Sequence, residues 1–298
     1  MSGAVEVTPD LLRGWRVPPI GESTDKEERG RVLVVAGGPQ VAGATLLTAV
    51  AALRAGAGKL QVGAPRSLAV ALALALPEAR VFPAAETAEG EMDPKAAPEL
   101  AAAMGRSDAV VIGPGMLDEA LAGELALRLA EADGPAMVVD AAAMVGLADD
   151  PGRARSRSGR LVLTPHAGEM AALLERPKEE VADDPLAAAR EAAGRFQAVV
   201  ALKGAETFVV TPDGAAWRHT SEAVGLATSG SGDVLAGVIA GLLARGASPA
   251  QATVWGVYLH GQAGLRLSRR IGRLGFLARE LLEEIAPVLD GLENDPTE

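Results

Sequence analysis

Residues 31–65 read RVLVVAGGPQVAGATLLTAVAALRAGAGKLQVGAP, and the order of residue types in them decides the architecture. A run of β-branched residues ends in the glycine pair Gly37 and Gly38. An Ala/Leu stretch with helical period follows over about 43–55, then a second β-branched run over 59–65. Strand, glycine turn, helix and strand make one βαβ unit. The strand residues are apolar at successive positions rather than alternate ones, so neither sheet face is left to water.

The same punctuation recurs along the chain. ARVFP (79–83), DAVVIGPG (108–115), AMVVDA (136–141) and RLVLTPH (160–166) are short apolar runs bounded by Gly, Pro or a polar residue. Each precedes a stretch of helical period, which predicts a parallel sheet with helices on both faces. The region 197–218 differs. QAVVALKG, ETFVVTP and AAWRH are three strands joined by short turns, PDG being one of them, and predict a small antiparallel edge. Helices are expected over about 231–245, 248–268 and 275–289, with Pro249 in a first turn, where its missing N–H costs nothing. The polar stretch DDPGRARSRSGR (149–160) lies between two strands of one sheet and reads as a surface loop. The reading is therefore one α/β domain over 1–298, three-layered, with irregular arms at about 1–25 and 291–298.

Composition limits the function. Hydrophobic residues are 49% of the 298 and charged ones 22%, enough for a large core. Aromatics are only 3%, too few for a base-stacking surface, and the net charge of −11 opposes nucleic acid or anionic membrane as a partner. With no cysteine, disulfides and thiolate metal sites are excluded. The longest apolar stretches are near 11 residues, short of a bilayer span, and the first residues lack a basic start followed by an apolar run. A cytoplasmic location is expected.

ATSGSGDVLAG (227–237) carries the chemistry. Gly230 and Gly232, with Ser231 between them, let main-chain N–H groups converge where a helix begins, which makes an anion nest. Asp233 falls in the first turn behind it. An acid there either stabilises the helix dipole or accepts the proton of a hydroxyl that attacks a bound phosphate, and the residues alone leave both open. GAGK (56–59) lacks the spacing of a Walker loop, and Lys59 reads as a strand-leading surface residue. KGAET (203–207) leaves one strand and enters another, with Lys203 able to reach a phosphate and Thr207 offering a hydroxyl. In TPHAGE (164–169), His166 and Glu169 stand three residues apart, as a pair on one face or as a cap. Asp140 ends a strand, to hold metal-bound water or cap the next helix; His219 and His260 read as structural or surface residues.

In this order, VLVVAGGPQVAGATLLTAVAALRAGAG, VIGPG, VLTPHAGEM, ALKGAET and GLATSGSGDVLAG resemble the ADP/ATP-dependent NAD(P)HX dehydratases of the ribokinase-like superfamily. The resemblance runs from LLRGWRVP at 11–18 to the C-terminal helices. It implies a ribokinase-like fold and ADP-dependent restoration of NADH and NADPH from their S-epimer hydrates. Phosphorylating the ring hydroxyl turns a poor leaving group into a good one. It further implies that Asp233 is the base, with Gly230, Ser231 and Gly232 the anion hole. Lys203, Gly204, Ala205, Glu206, Thr207 and Gly232 would bind the nucleotide; Ala44, Gly115, His166 and Asp233 would bind the hydrate. Glu169 would organise Mg²⁺ and phosphate indirectly.

A homo-oligomer, possibly a tetramer, is expected from the same resemblance, as is an epimerase on a separate polypeptide. Three departures are visible: DAAAM replaces the family's DADAL after Asp140, Ala167 replaces a proline, and Glu222 and Ala223 stand where an asparagine is usual. The rival readings are a small-molecule kinase of the superfamily and a non-catalytic nucleotide binder. Thiazole and pyrimidine kinases place cysteine at the Asp233 position, and sugar kinases place an aromatic residue where this chain has Leu235.

Overall fold

The computed structural model describes residues 3–19, 21 and 28–294. Ten strands form one sheet: β1 (Val5–Glu6), β2 (Arg31–Val35), β3 (Lys59–Pro65), β4 (Ala79–Ala84), β5 (Ala109–Ile112), β6 (Ala136–Val139), β7 (Leu161–Leu163), β8 (Val199–Leu202), β9 (Glu206–Val210) and β10 (Ala216–Thr220). Their order is β1-β10-β9-β8-β7-β6-β5-β2-β3-β4. Every described pairing is parallel except the two made by β9, so the antiparallel edge reduces to one reversed strand with parallel neighbours beyond it.

Two cores follow from the two-residue period of a strand. Val32 and Val34 of β2 and Val111 of β5 face one core; Leu33, Val35, Val110 and Ile112 face the other. The first core is closed by α2 (Gly43–Arg54), α3 (Arg66–Ala75), α11 (Ser231–Ala244), α12 (Pro249–Arg270) and α13 (Ala278–Glu293). The second is closed by α4 (Ala97–Met104), α5 (Glu119–Glu131), α6 (Ala141–Val145), α7 (Pro151–Ala154), α8 (Ala167–Leu174), α9 (Lys178–Asp183) and α10 (Pro185–Phe196). Val, Leu and Ala pack in both, as the scarcity of aromatics requires.

The arms differ from expectation. Val5–Glu6 adds a parallel strand beside β10, and α1 (Pro9–Gly14) follows, capped by Thr8, whose hydroxyl accepts the Leu11 N–H at 3.2 Å. Trp15 stacks on Trp217 with ring centroids 5.4 Å apart, and its carbonyl accepts the buried Trp255 indole N–H at 2.8 Å. Those contacts hold the first arm down. At the other end the helix continues to Glu293, past the expected boundary. Within 149–160 the loop contains α7, and Arg157 is almost fully buried, donating to the Leu129 carbonyl at 2.8 Å and to those of Ala132 and Pro135.

The sheet changes direction of growth between β2 and β5. Strands β3 and β4 lie on one side of β2, while β5 to β8 extend from the other. At such a switch point the loops beyond the strand ends part and leave a crevice. Here the loops after β2 and β5 meet, the Gly37 N–H donating to the Pro114 carbonyl at 2.8 Å.

Candidate functional site

Asp140, His166 and Lys203 follow the carboxyl ends of β6, β7 and β8. His166 and Lys203 form an isolated parallel bridge, the Lys203 N–H reaching the Pro165 carbonyl at 2.7 Å. Lys203 Nζ stands 3.2 Å from Asp140 Oδ1 and 3.7 Å from Glu169 Oε2. The other claim on Asp140 is the Thr164 hydroxyl, donating at 2.7 Å. Asp140 thus buries its carboxylate against a cation and a hydroxyl rather than capping α6. The next residue, Ala141, has φ of +52°, a left-handed conformation that a non-glycine residue adopts at some cost.

Glu169 and His166 make a capping box. Glu169 Oε2 accepts the His166 N–H at 2.7 Å, and His166 Nδ1 accepts the Glu169 N–H at 3.0 Å. Capping and site geometry are therefore the same contacts: the box fixes the carboxylate that faces Lys203.

At the expected nest the Ser231 N–H donates to the Thr228 carbonyl at 3.2 Å, which leaves Gly230 and Gly232 to supply its main-chain donors. Gly230 has φ of +88°, and α11 starts at Ser231 with Asp233 in its first turn. The left-handed conformation demands glycine, and a Cβ there would also stand 2.6 Å from the Leu47 side chain, whose end would have to shift. A Cβ on Gly232 would lie 3.3 Å from Lys203 Nζ, which places the ammonium at the nest. Helix α2 supports it from behind, the Thr48 hydroxyl donating to the Asp233 carbonyl at 3.1 Å.

Burial raises the Asp233 carboxyl to about 7; Asp140 adds to the rise, Lys203 opposes it and Glu169 adds a smaller push. Burial works against the Lys203 ammonium, but Asp140 and Glu169, with help from Asp233, outweigh it and move its pKa up. One acid poised near neutrality beside a fixed cation is an arrangement suited to proton transfer at an anionic group.

A cavity of about 710 Å³ joins these groups. It is lined by Asp140, His166, Glu169, Lys203, Asp233 and the 230–232 nest, together with Gly204, Ala205 and Thr207. Its volume suits a nucleotide-sized ligand. Glu206 is not in the lining; its carboxylate pairs instead with Arg218 at 3.2 Å on the sheet surface.

Ala44 and Gly115 also lie outside this lining, but the fold brings them together at the switch point. A Cβ on Gly115, whose φ is +73°, would stand 2.9 Å from the Ala44 Cβ. Ala44 is one turn before Thr48 on α2, so their patch adjoins the Asp233 end of the cavity. Among the described residues no group of three His, Asp or Glu side chains could hold a metal ion, and Glu169 is committed to the His166 N–H and Lys203. The residues present do not build a metal cage.

Two histidines that the sequence leaves as structural or surface residues stand at the site. His219 and His260 both line the cavity. Neither is a surface residue: His219 is buried, its Nε2 without a hydrogen-bond partner among the described residues, and the His260 ring is hydrogen-bonded through Nε2 to Ser231 Oγ at 2.9 Å. The available signal was spacing. Val257, His260 and Gly261 share one face of α12, and a single polar residue between apolar and small ones marks a face turned to a cavity.

Comparison with known proteins shows the family and the fold. Residues 32–287 match the NAD(P)H-hydrate dehydratase family profile. The chain is 47% identical over 287 residues to an ADP-dependent (S)-NAD(P)H-hydrate dehydratase of Xanthomonas campestris, covering 96% of each. It is 39% identical to a bifunctional NAD(P)H-hydrate repair enzyme of Moorella thermoacetica, of which it covers 54%, so it spans about half the length of that relative. The structure superposes on a Bacillus subtilis ADP/ATP-dependent NAD(P)H-hydrate dehydratase, co-crystallised with ATP/Mg²⁺, with TM-score 0.82. That match is 27% identical and covers 98% of this chain and all of the other. Among the described residues no helix is long and apolar enough to cross a membrane.

Proposed function

This chain belongs to the NAD(P)H-hydrate dehydratase family, and from that premise we propose that it restores NADH and NADPH from their S-epimer hydrates, using ADP in preference to ATP. The observation that carries the reading is Asp233, whose carboxyl is raised to about 7 at the mouth of the nest, in one cavity with Lys203.

In the first step Asp233 accepts the proton of the ring hydroxyl. The hydroxyl oxygen bonds to the terminal phosphorus of ADP, and the bond to AMP breaks with its electrons leaving on AMP. The N–H groups of Gly230 and Gly232 meet the charge on the transferring group, that of Ser231 being engaged by the Thr228 carbonyl, and Lys203 offsets the charge on the nucleotide. In the second step the ring carbon–oxygen bond breaks and phosphate departs with the bonding electrons. The neighbouring carbon gives up a proton to the departing phosphate, the C–H electrons form the ring double bond, and the reduced nicotinamide ring is re-formed.

Lys203, Gly204, Ala205 and Thr207 line the nucleotide's side of the cavity. Glu206 contributes through its backbone position, since its carboxylate faces Arg218. Ala44, Gly115 and His166 would hold the hydrated dinucleotide across the switch point. Mg²⁺ is expected to arrive on the nucleotide's phosphates, and no step is routed through an ion held by the chain. The protein is expected to act in the cytoplasm as a homo-oligomer, measurable by light scattering, with a separate epimerase supplying the S epimer.

The test is direct. The protein is incubated with the S-epimer hydrate of NADH and either ADP or ATP, and absorbance at the reduced-nicotinamide band is followed. Recovery faster with ADP supports the reading; no recovery with either nucleotide overturns it.

A further inference from the structure

The nest contains a hydroxyl as well as main-chain donors. Ser231 is buried at the first position of α11, and its Oγ is hydrogen-bonded to His260 Nε2 at 2.9 Å. His260 comes from α12, packed against α11, and lines the same cavity. The contact can run either way, and the two directions have opposite consequences for an anion. If Ser231 donates to the ring, its lone pairs face the cavity and repel phosphate. If the ring N–H donates to Oγ, the serine's own proton is free to turn into the nest.

We propose that His260 is a positioning residue for phosphoryl transfer. Its Nε2–H donates to Ser231 Oγ and turns the serine hydroxyl proton toward the terminal phosphate, adding a side-chain donor to the main-chain N–H groups. The inference deepens the dehydratase reading and rests on it for the identity of the nucleotide. Burial holds the ring neutral, its pKa lowered to about 4, so at working pH a single ring nitrogen carries the proton and the tautomer decides the direction. A hydrogen bond to the Ser231 backbone favours the charged ring, but burial outweighs it, and Lys203 and His219 both disfavour charge there.

The experiment compares wild type with His260→Gln, His260→Asn, His260→Leu, Ser231→Ala and the Leu/Ala double variant. Turnover with ADP, KM for the hydrate, melting temperature and the dissociation constants of ADP and AMP by calorimetry are measured. Glutamine can place an amide N–H near the Nε2 position, whereas asparagine reaches only the Nδ1 position. Expected are a roughly tenfold fall in kcat for His260→Leu with KM within about twofold, and a several-fold loss of preference for ADP over AMP. Glutamine restores most of both and asparagine does not. The double variant falls no further than Ser231→Ala, because the histidine acts through that hydroxyl.

Wild-type kcat and nucleotide preference in His260→Leu overturn the proposal. So do losses that multiply in the double variant, or an asparagine variant that outperforms glutamine at equal melting temperature. Should His260→Leu fail to fold, the glutamine and asparagine pair decides. If the wild type does not turn over the hydrate, the dehydratase reading falls, while the ADP-over-AMP preference across the same variants still decides the role of His260.

Discussion

The ammonium of Lys203 lies 3.2 Å from the Asp140 carboxylate, across the ends of β8 and β6 with β7 between them. Asp140 is buried and Lys203 half-buried, with Glu169 as the lysine's second partner and Asp233 within its electrostatic reach. The pair positions a cation beside the nest, and its two members act oppositely on Asp233: Lys203 favours the ionised carboxylate and Asp140 disfavours it.

Lys203→Met removes the positive charge that lowers the Asp233 pKa, while Asp140 and Glu169, which raise it, remain. The acid limb of the kcat/KM profile should move to higher pH. At pH 7 the rate should fall by roughly two orders of magnitude, through the unpaired carboxylates and the weaker hold on phosphate. Rate measurements from pH 5 to 9 check both effects; an unmoved limb refutes the coupling.

Asp233→Asn should abolish turnover, by more than about 10³-fold, with ADP affinity within roughly threefold. The stability effect has a definite sign. The folded-state pKa is raised from 3.8 to about 7, so the folded protein holds the proton more tightly than the unfolded chain. The ionised form therefore costs stability as pH rises through that interval, and the full cost is present above pH 7. The asparagine variant should be more stable than wild type at pH 8, by about 1–3 kcal/mol, and nearly equal to it near pH 4. Thermal melts at the two pH values provide the comparison.

Wild-type kcat/KM should itself rise with pH to a plateau above about 7, following ionisation of Asp233. A profile flat from pH 5 to 9 would remove the proton-accepting role from this carboxylate.

Gly230→Ala meets two obstacles: a left-handed backbone, worth about 1–2 kcal/mol to a residue with a side chain, and the Leu47 side chain 2.6 Å from the added carbon. Stability should fall by about 2–3 kcal/mol, and kcat should fall more than nucleotide affinity, since the donors of the nest lose their convergence. Equal stability to wild type in denaturant titration would contradict this.

Gly115→Ala separates the two ends of the site. The new methyl group meets the Val41 carbonyl at 2.6 Å and the Ala44 Cβ at 2.9 Å, away from the cavity that holds Lys203 and Gly232. KM for the hydrate should rise about tenfold or more while that for ADP stays within twofold. The reverse pattern would place the dinucleotide elsewhere.

Much of this molecule is written locally. The central strands β2, β5, β6, β7 and β8 are short apolar runs, and their burial on both faces is visible as the missing alternation; β4, at the sheet edge, leaves Arg80 and Pro83 exposed. Gly230, Gly232 and Asp233 are contiguous, so the nest and its acid could be read as one motif. The two-residue strand Val5–Glu6 carries no such pattern. It exists because β10 offers an open edge, and Trp15 finds Trp217 and Trp255 there.

The amino-acid sequence by itself determined the layered parallel architecture, the glycine turns at the strand ends and the pairing of an anion nest with an acid, because each depends on periodicity or on residues within a few positions of one another. Only the tertiary structure decided that Lys203 would neutralise Asp140, 63 positions earlier, and that His260 would grip Ser231 from another helix. It also decided that burial would lift the Asp233 carboxyl to about 7. Burial and electrostatic coupling depend on distance through space, and chain spacing does not report that distance.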